Sequence, residues 1–531
     1  MAQAKIPIII GVTGHRDLRE QDVPTLRALV GEKLDELSRQ YPHSPVTMLS
    51  SLAAGADMLC AQEAVRRGIR LVVPLPMEEA EYRKDFSPAE EAQFDALLVK
   101  ADDVFVVPHI EPHMDGRDFL YRQAGIYVAV HSHILLALWD GTLGQKGGCG
   151  TAEAVDFMLR GSFDDGNYFR AANDGAVFHI ATPRKKNGTD FPITCTLIEN
   201  EEGSLREALS QTERFNRDCG KWGGEDGYPL LPDSLMKPEK IQKMQAVYHQ
   251  ADQLSMRFQK RYVRTMGLLS VFCVLLVLCY LFYDEAEYNW MLLCYGGIIA
   301  LYAAFYRLIV RKSYHEKYLQ YRMLAESLRV QTYLTALGSN DCIGDDFTWT
   351  QKHELTWVKE AVCALSIGKT EPAAGDAQQT IKESWIDGQS AYHHRTHKRD
   401  NQRHHASGRV TGAMLICTII SFIMVTALEY GFNDVMSSIV LTLSIRTWFK
   451  ILWGCLSAVT VFVSGYYGRL SFERKAFDHE KMALLFDTAA EQYEKNPEER
   501  QSMFRALARE EVIESGNWLS YCRENRLGFN L

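Results

Sequence analysis

Four apolar segments in the second half of this 531-residue chain constrain its fold most strongly. They cover residues 265–283, 290–310, 411–428 and 448–468. A helix needs about 20 apolar residues to cross the hydrocarbon core of a bilayer. The segments carry almost no charge apart from Lys450, which stands near the start of the fourth, where a lysine side chain can reach the membrane surface. The sequence therefore predicts four transmembrane helices in two hairpins.

Basic residues flank the open ends of both predicted hairpins. They are Arg257, Lys260, Arg261, Arg264, Arg307, Arg311, Lys312, Arg399, Arg403, Arg409, Arg469, Arg474 and Lys475. The loop between the first two segments, DEAEYN, carries only acidic charge. Because basic loops stay on the cytoplasmic side, both termini and both long polar helical regions are predicted to be cytosolic.

The membrane half also repeats itself. The stretch YHEKYLQYRMLAESL after the second segment resembles DHEKMALLFDTAAEQ after the fourth, and RTMG at 264–267 matches RVTG at 409–412. These matches predict a duplicated module of polar helix, two-span hairpin and polar helix, at 238–340 and 381–531, joined by a linker at 341–380.

Apolar residues in the polar helices recur at helical spacing. They are Tyr314, Tyr318, Tyr321, Ala325 and Leu328 in the first copy, and Met482, Leu485 and Ala489 in the second. This pattern predicts a packing seam. The seam either joins helices within or between chains, or packs on the helix that leads into its own hairpin.

The first part of the chain alternates strand and helix patterns. Apolar runs such as IPIIIGVTG, IRLVVPLP and HILLALWDG are separated by helical patterns such as VPTLRALVGEKLDEL, and GAVFHIATPR at 175–184 is predicted to be the last strand. This alternation predicts an α/β domain over residues 1–185, with a parallel sheet covered on both faces. Residues 186–237, rich in glycine and charge, are predicted to form an irregular connection. The N-terminal apolar run is too short for a signal peptide.

Charge and cysteine spacing exclude several functions. The net charge of −9 does not favour nucleic acid as a partner, and the 12 cysteines show no metal-ligand or disulfide pattern. His393 and His397 stand four residues apart, as metal ligands on a helix do, but no acidic or cysteine ligand is close in the sequence. We therefore expect no metal, and a basic juxtamembrane helix that contacts anionic lipids.

Three loops that follow predicted strands have the composition of a ligand site. The candidate residues are Gly11, Thr13, Gly14, His15 and Arg16 in the first, Ser50, Ser51, Gly55, Ala56 and Asp57 in the second, and Gly147, Gly148, Gly150 and Thr151 in the third. Parallel sheets bind ligands at the carboxyl ends of their strands. Glycines bring backbone N–H groups close to a phosphate, and Arg16 can pair with it. Asp57 contacts a ribose hydroxyl or caps a helix, and His15 is structural, stacks on the ligand or is catalytic.

The motifs GVTGHRDL, SSLAAGAD, YRQAG and GGCGTAE, in this order, resemble the SLOG superfamily, a Rossmann-like group that includes the LOG phosphoribohydrolases and the DprA/Smf proteins. In the LOG pattern an arginine-lysine pair precedes P-G-G-x-G-T-x-x-E. Arg122 and Gln123 stand at the pair, Lys146 replaces the proline, and Ala154 takes the place of the final glutamate, with Glu153 one position early. The resemblance implies a nucleotide site with its phosphate loop kept. It assigns no catalytic residue, although Glu153 leaves hydrolysis open.

The membrane half resembles the SLATT family of two-span helical modules, which accompany SLOG domains in bacterial conflict systems. The combination implies a homo-oligomeric antiphage effector of the bacterial inner membrane that disrupts the lipid bilayer or forms a pore. The implied ligand is an ADP-ribose-type, NAD-derived or cyclic nucleotide, made by an enzyme encoded nearby, and no cofactor is expected. A membrane-tethered nucleotide N-glycosidase and a metabolite-gated channel without a defence role are the alternatives.

Overall fold

The computed structural model describes residues 5–112, 114, 116–142, 150–164, 175–186, 190–200, 203–224, 227–348, 351, 354–370, 376–431, 436–440 and 442–525. The chain divides into two compact units. The first, the sheet unit, comprises Met1–Leu254, Gln320–Ile381 and Phe504–Gly516. The second, the hairpin unit, comprises Ser255–Leu319, Lys382–Met503 and Asn517–Leu531.

The sheet unit is built on a seven-stranded, mainly parallel sheet, which confirms the predicted α/β class. Its strands are β1 (Ile8–Gly14), β2 (Val46–Leu49), β3 (Arg70–Leu75), β4 (Asp103–Val106), β5 (Ile134–Trp139), β6 (Ala176–Ala181) and β7 (Cys195–Glu199). They lie in the order β4-β3-β2-β1-β5-β6-β7, and all neighbours are parallel except β6 and β7. The chain therefore winds outward in both directions from β1.

Helices cover both faces of the sheet. They are α1 (Val23–Gln40), α2 (Ala56–Arg66), α3 (Glu79–Tyr82), α4 (Pro88–Leu98), α5 (Arg117–Val130) and α6 (Thr151–Arg160). Within β1, Ile8 and Ile10 belong to the core under α1, α2 and α4, whereas Ile9 belongs to the core under α5 and α6. Both faces of each central strand are buried, which explains why the strands are apolar at every position.

Residues 186–237 do not form the irregular connection that the sequence predicted. They contain β7 and a 19-residue helix, α7 (Ser204–Trp222), so β6 is not the last strand. Leu205, Leu209, Phe215 and Cys219 lie buried along one face of α7. Their helical spacing is present in the sequence, but the many charged residues between them and the surrounding glycines obscure it.

The predicted linear domains also differ from the compact units. The sheet unit includes a helix within the predicted linker, α11 (Thr356–Ser366), whose Trp357 is fully buried. It also includes the buried Arg329, which forms ion pairs with Glu326 at 2.6 Å and with Glu511. Residues distant in sequence thus complete one core.

The hairpin unit is helical. The remaining helices of the chain are α8 (Glu239–Asp284), α9 (Met291–Lys312), α10 (Tyr314–Ala336), α12 (Ala377–Ile381), α13 (Gly388–Gly431), α14 (Ile445–Leu470), α15 (Phe472–Lys495) and α16 (Arg500–Glu524), and the π-helical turn Lys382–Asp387 precedes α13. Of these, α12 and parts of α8, α10 and α16 belong to the sheet unit. A short ribbon pairs β8 (Ile439–Val440) with β9 (Leu443–Ser444). Four helical stretches are long and apolar enough to cross a membrane, which confirms the four predicted segments.

The polar helices pack on the helices that lead into their own hairpins. In the first copy, the ring of His315 lies 4.6 Å from that of Tyr262 on α8, and Gln259 donates a hydrogen bond to Tyr318 at 3.0 Å. In the second copy, His479 on α15 lies 2.9 Å from His393 on α13, measured between their Nδ1 atoms. The start of the first seam and the second copy thus pack on the leading helix, whereas Tyr321 of the first seam packs against Phe215 of α7 and Trp357 of α11.

The tips of the two hairpins also contact each other. Lys450 donates a hydrogen bond to Glu285 at 2.9 Å, so its side chain is engaged with the first hairpin. A Cβ atom at Gly454 would lie 2.9 Å from a methyl group of Leu281 of α8, so α14 approaches α8 closely at this glycine. Close approach of helices at small residues is common in membrane proteins.

Candidate functional site

A cavity of about 390 Å³ lies at the carboxyl ends of β1 and β5. β1 pairs with β2 on one side and β5 on the other, so the winding direction reverses between β1 and β5. Open α/β sheets bind their ligands at such a switch point. The volume falls within the range of roughly 300–1,000 Å³ typical of small-molecule sites.

The end of β1 and the residues that follow it contribute to the cavity wall. Thr13, Gly14 and Arg16 line the cavity. A side chain at Gly14 would lie 2.9 Å from the carbonyl oxygen of Leu138, so the two strand ends touch only because Gly14 has none. Gly11 does not line the cavity. A Cβ atom there would lie 2.8 Å from Val128 of α5, so Gly11 serves helix–sheet packing.

His15 lines the cavity and fixes the end of β5. Its Nε2 atom accepts a hydrogen bond from the backbone N–H of Asp140 at 3.0 Å. Burial lowers the pKa of His15, although the Asp140 carboxylate opposes this shift. Of the structural, ligand-stacking and catalytic roles left open for His15, a neutral ring that accepts a backbone hydrogen bond matches the structural one.

The loop after β2 is tied to the loop after β1. Gly55 has a φ of +84°, and a Cβ atom there would lie 2.5 Å from the carbonyl oxygens of His15 and Arg16. The backbone N–H of Ala56 donates to the carbonyl of His15 at 3.1 Å. Neither Gly55 nor Ala56 lines the cavity. They join the two loops, and Ser51 and Asp57 face the cavity beside them.

Asp57 brings a buried carboxyl group to the cavity. It lies in the first turn of α2, where Gly55 holds the N-cap position, so Asp57 is not the cap. The hydroxyl of Ser50, which is buried behind it, lies 3.5 Å from Oδ2. Burial raises the pKa of Asp57 to about 7, against the opposing effects of the Ala53 backbone and Arg16. This carboxyl group therefore titrates near neutral pH.

The third loop leads into helix α6. Gly147 and Gly148 lie outside the described residues. Gly150 holds the N-cap position of α6, Thr151 begins the helix, and both line the cavity. A Cβ atom at Gly150 would meet nothing within 4 Å. The first backbone N–H groups of a helix have no partner within it, and the helix dipole favours an anion there.

Arg122 lines the cavity, but two carboxylates hold its guanidinium group. Nε and Nη2 donate to Glu111 at 2.7 and 2.8 Å, and Nη1 donates to Glu153 at 2.7 Å. Gln123, in place of the LOG-type lysine, donates to Glu111 at 2.9 Å. Glu153 is absent from the cavity wall, whereas Ala154 is part of it. Arg122 thus has less charge available for a ligand than its position suggests.

Arg16 and Arg184 are the other cations of the cavity wall. The guanidinium group of Arg16 lies 5.3 Å from the ring centre of Tyr121, and Arg16 forms no ion pair with any described residue. Arg184, which sequence reasoning missed, pairs with Asp17 at 3.0 Å. It follows β6, next to β5 in the sheet, so applying the strand-end rule to β6 would have found it.

Aromatic side chains form a further part of the wall that sequence reasoning missed. Tyr82, Tyr121, Trp139 and Phe157 line the cavity. The indole N–H of Trp139 donates to the carbonyl of Thr142 at 3.0 Å, which fixes its ring at the end of β5. Aromatic faces of this kind stack on planar, apolar ligand groups. Only Trp139 carried a sequence signal, because it ends a strand.

Within the part of the chain that the structure describes, no group of three or more His, Cys, Asp or Glu side chains is placed to hold a metal ion. The Nδ1 atoms of His393 and His397 are engaged instead with His479 and with the carbonyl of Ala476, each at 2.9 Å. Comparison of the sequence with protein-family models and with curated proteins finds no match to either.

Proposed function

We propose that the protein is a membrane-bound sensor of a phosphorylated, adenine-type nucleotide. The observation that carries this proposal is the cavity at the switch point of the sheet. It combines the N-terminus of α6 with aromatic side chains and with Arg16, which forms no ion pair with a described residue. The same chain contains four helices able to span a membrane.

The two kinds of wall suit the two ends of a nucleotide. Gly150, Thr151 and Arg16 offer N–H and guanidinium donors to phosphate oxygens. The aromatic side chains offer faces to a base. Asp57 can accept a hydrogen bond from a ribose hydroxyl when it is ionised. NAD-derived nucleotides such as ADP-ribose, and cyclic nucleotides, carry all three groups.

The proposed output is disruption of the bacterial inner membrane during antiphage defence. A ligand transmits a signal only if it binds one conformer or oligomer more tightly than another. Four membrane helices per chain are few for a pore, so a pore would require several copies. The resemblance to the SLOG and SLATT families supports this output, and an enzyme encoded nearby would supply the signal.

Ligand screening with the full chain in detergent tests the proposal. Thermal unfolding is followed with ADP-ribose, cyclic ADP-ribose isomers, NAD, AMP, and cyclic di- and trinucleotides, and each ligand is recovered for mass spectrometry. A ligand at about 100 times its Kd adds roughly 2.7 kcal/mol to stability. A shift with one nucleotide recovered intact supports the sensor, and the absence of a shift with every nucleotide contradicts it.

Asp57 supports a second candidate, a membrane-tethered nucleotide N-glycosidase. General acid catalysis requires a carboxyl group that is protonated near neutral pH, and burial raises the pKa of Asp57 to about 7 at the cavity wall. This candidate predicts that a nucleoside phosphate is recovered as free base and sugar phosphate, and that Asp57→Asn abolishes base release.

A further inference from the structure

A second cavity of about 310 Å³ lies in the sheet unit, between the end of α1 and one face of α7. Three arginines of α7, Arg206, Arg214 and Arg217, line it together with Tyr41. Arg214 follows Arg206 by eight residues, and Arg217 follows Arg214 by three. This spacing places the three side chains on the same side of a helix.

These arginines differ from most others in the sheet unit because none of them forms an ion pair with a described residue. Among the described residues from 5 to 254, the ion-paired arginines are Arg19, Arg27, Arg66, Arg67, Arg70, Arg83, Arg117, Arg122, Arg160 and Arg184. The arginines of that range without an ion pair to a described residue are Arg16, Arg39, Arg206, Arg214 and Arg217. Apart from Arg39, which donates to the carbonyl of Asp35 at 3.2 Å, each of these lines a cavity.

Among the described residues that line the second cavity, the one carboxylate, that of Glu213, is already engaged. Glu213 accepts hydrogen bonds from the backbone N–H of His43 at 3.0 Å and from the hydroxyl of Ser44 at 2.7 Å. These bonds anchor α7 to the loop after α1. The hydroxyl of Ser210 donates a hydrogen bond to the carbonyl of Arg206 within the same helix, at 2.6 Å. The donors left to a ligand are therefore mainly guanidinium N–H groups.

From this arrangement we propose that the face of α7 formed by Arg206, Arg214 and Arg217 is a binding site for a phosphate group, separate from the cavity at the strand ends. Guanidinium groups bind phosphate through paired N–H donors, and several of them match the several acceptor oxygens of one phosphate. The phosphate belongs either to a soluble molecule or to the headgroup of an anionic lipid.

The test uses the full chain in detergent and carries Arg16→Ala throughout, so that phosphate binding at the strand ends is weakened. Inorganic pyrophosphate is titrated by calorimetry, and short-chain phosphatidylglycerol is followed by native mass spectrometry. We expect one of the two probes to bind. Adding Arg217→Gln should weaken that binding about tenfold, because a charge-assisted hydrogen bond is lost. Arg39→Gln removes an arginine that lies outside the cavity and forms no ion pair with a described residue, and it should leave binding unchanged.

The outcomes separate the two sources of phosphate. Binding of pyrophosphate that depends on Arg217 indicates a soluble ligand, and lipid adducts that depend on Arg217 indicate a headgroup. Binding of both probes supports the site itself. The site does not exist if neither probe binds, or if binding survives the double variant Arg214→Gln, Arg217→Gln. None of these results depends on whether a nucleotide binds at the strand ends.

Discussion

Nη1 of Arg122 lies 2.7 Å from Oε1 of Glu153, and this ion pair directs the glutamate at the arginine instead of into the cavity. Ala154, the next residue of α6, lines the cavity wall, and Glu153 does not. A carboxylate engaged in this way is poorly placed to act on a glycosidic bond. The pair therefore bears directly on whether the site binds or cleaves its ligand.

We expect Glu153→Gln to strengthen the binding of a phosphorylated nucleotide by about two- to fivefold. The substitution removes a negative charge near the ligand and leaves Arg122 less neutralised. Calorimetric titration with the nucleotide found by screening measures the change, and release of free base is followed in parallel. Base release by the native chain that disappears in this variant would favour the N-glycosidase instead.

Arg16→Ala should weaken nucleotide binding by about tenfold or more and leave thermal stability unchanged. Arg16 is exposed at the cavity and forms no ion pair with any described residue, so its removal costs the fold little. Arg39→Ala, an exposed arginine of α1 outside the cavity, is the matched control and should bind normally. Equal affinities of native and Arg16→Ala proteins would remove Arg16 from the site.

Asp57 should make the sheet unit less stable as the pH rises. Its pKa is about 7 in the folded chain against 3.8 for an unperturbed aspartate, so between these values the folded state holds a proton that the unfolded state has lost. Stability contributed by this group therefore falls as the pH rises through that window and stays low above it. The full effect is on the order of 4 kcal/mol at most.

Asp57→Asn tests this dependence because an amide does not titrate. Thermal unfolding at pH 5 and pH 8 should differ less for the variant than for the native chain, and the variant should be the more stable of the two at pH 8. The same pH dependence in both proteins would assign the effect to other groups.

Two glycines of the predicted ligand loops, Gly11 and Gly150, should respond differently to alanine. Gly11→Ala places a Cβ atom 2.8 Å from Val128 and closer still to the hydroxyl of Ser132, so we expect a loss of about 1–3 kcal/mol in unfolding free energy. Gly150→Ala meets nothing within 4 Å and should fold normally. Denaturant unfolding of the two variants measures the difference, and equal losses would contradict the described packing.

The contact between the hairpin tips predicts a cross-link within one chain. Nζ of Lys450 lies 2.9 Å from Oε2 of Glu285. Cysteines at these two positions should therefore be joined by a short bifunctional reagent in native membranes. A pair of cysteines at Glu285 and the exposed Leu452 is the control and should react less, because Leu452 points to another face of α14. Mass spectrometry identifies the linked peptides. Exclusive linkage between chains would show that the tips meet a neighbouring copy instead.

The strands could be predicted because burial on both faces makes each an apolar run bounded by glycine or charge. The four membrane segments could be predicted for a similar reason, since few soluble helices are apolar on every side. Helix α7 was missed because only one of its faces is buried, and charged residues dominate its composition. Strand β7 was missed because it is a short edge strand whose Leu197 remains exposed.

The polar loops of the site could be predicted, and its other walls could not. Gly14 ends a strand, Ser51 follows one and Gly150 caps a helix, so the strand-end rule places them together. Tyr82 and Tyr121 come from α3 and α5, and their direction depends on how these helices pack. Glu111 lies in an irregular segment, so nothing in the sequence pointed to its bidentate contact with Arg122.

The junction between the first two loops has a consequence for the kinetics of binding. Gly55, at its left-handed φ, lets the loop after β2 touch the carbonyls of His15 and Arg16, and the Ala56 N–H fastens the two backbones together. This wall of the cavity is thus ordered during folding. A ligand that meets it loses little chain entropy there. Capture at this wall is then governed by diffusion and by the attraction of Arg16 for an anion, and ligand affinity is expressed mainly in the rate of release.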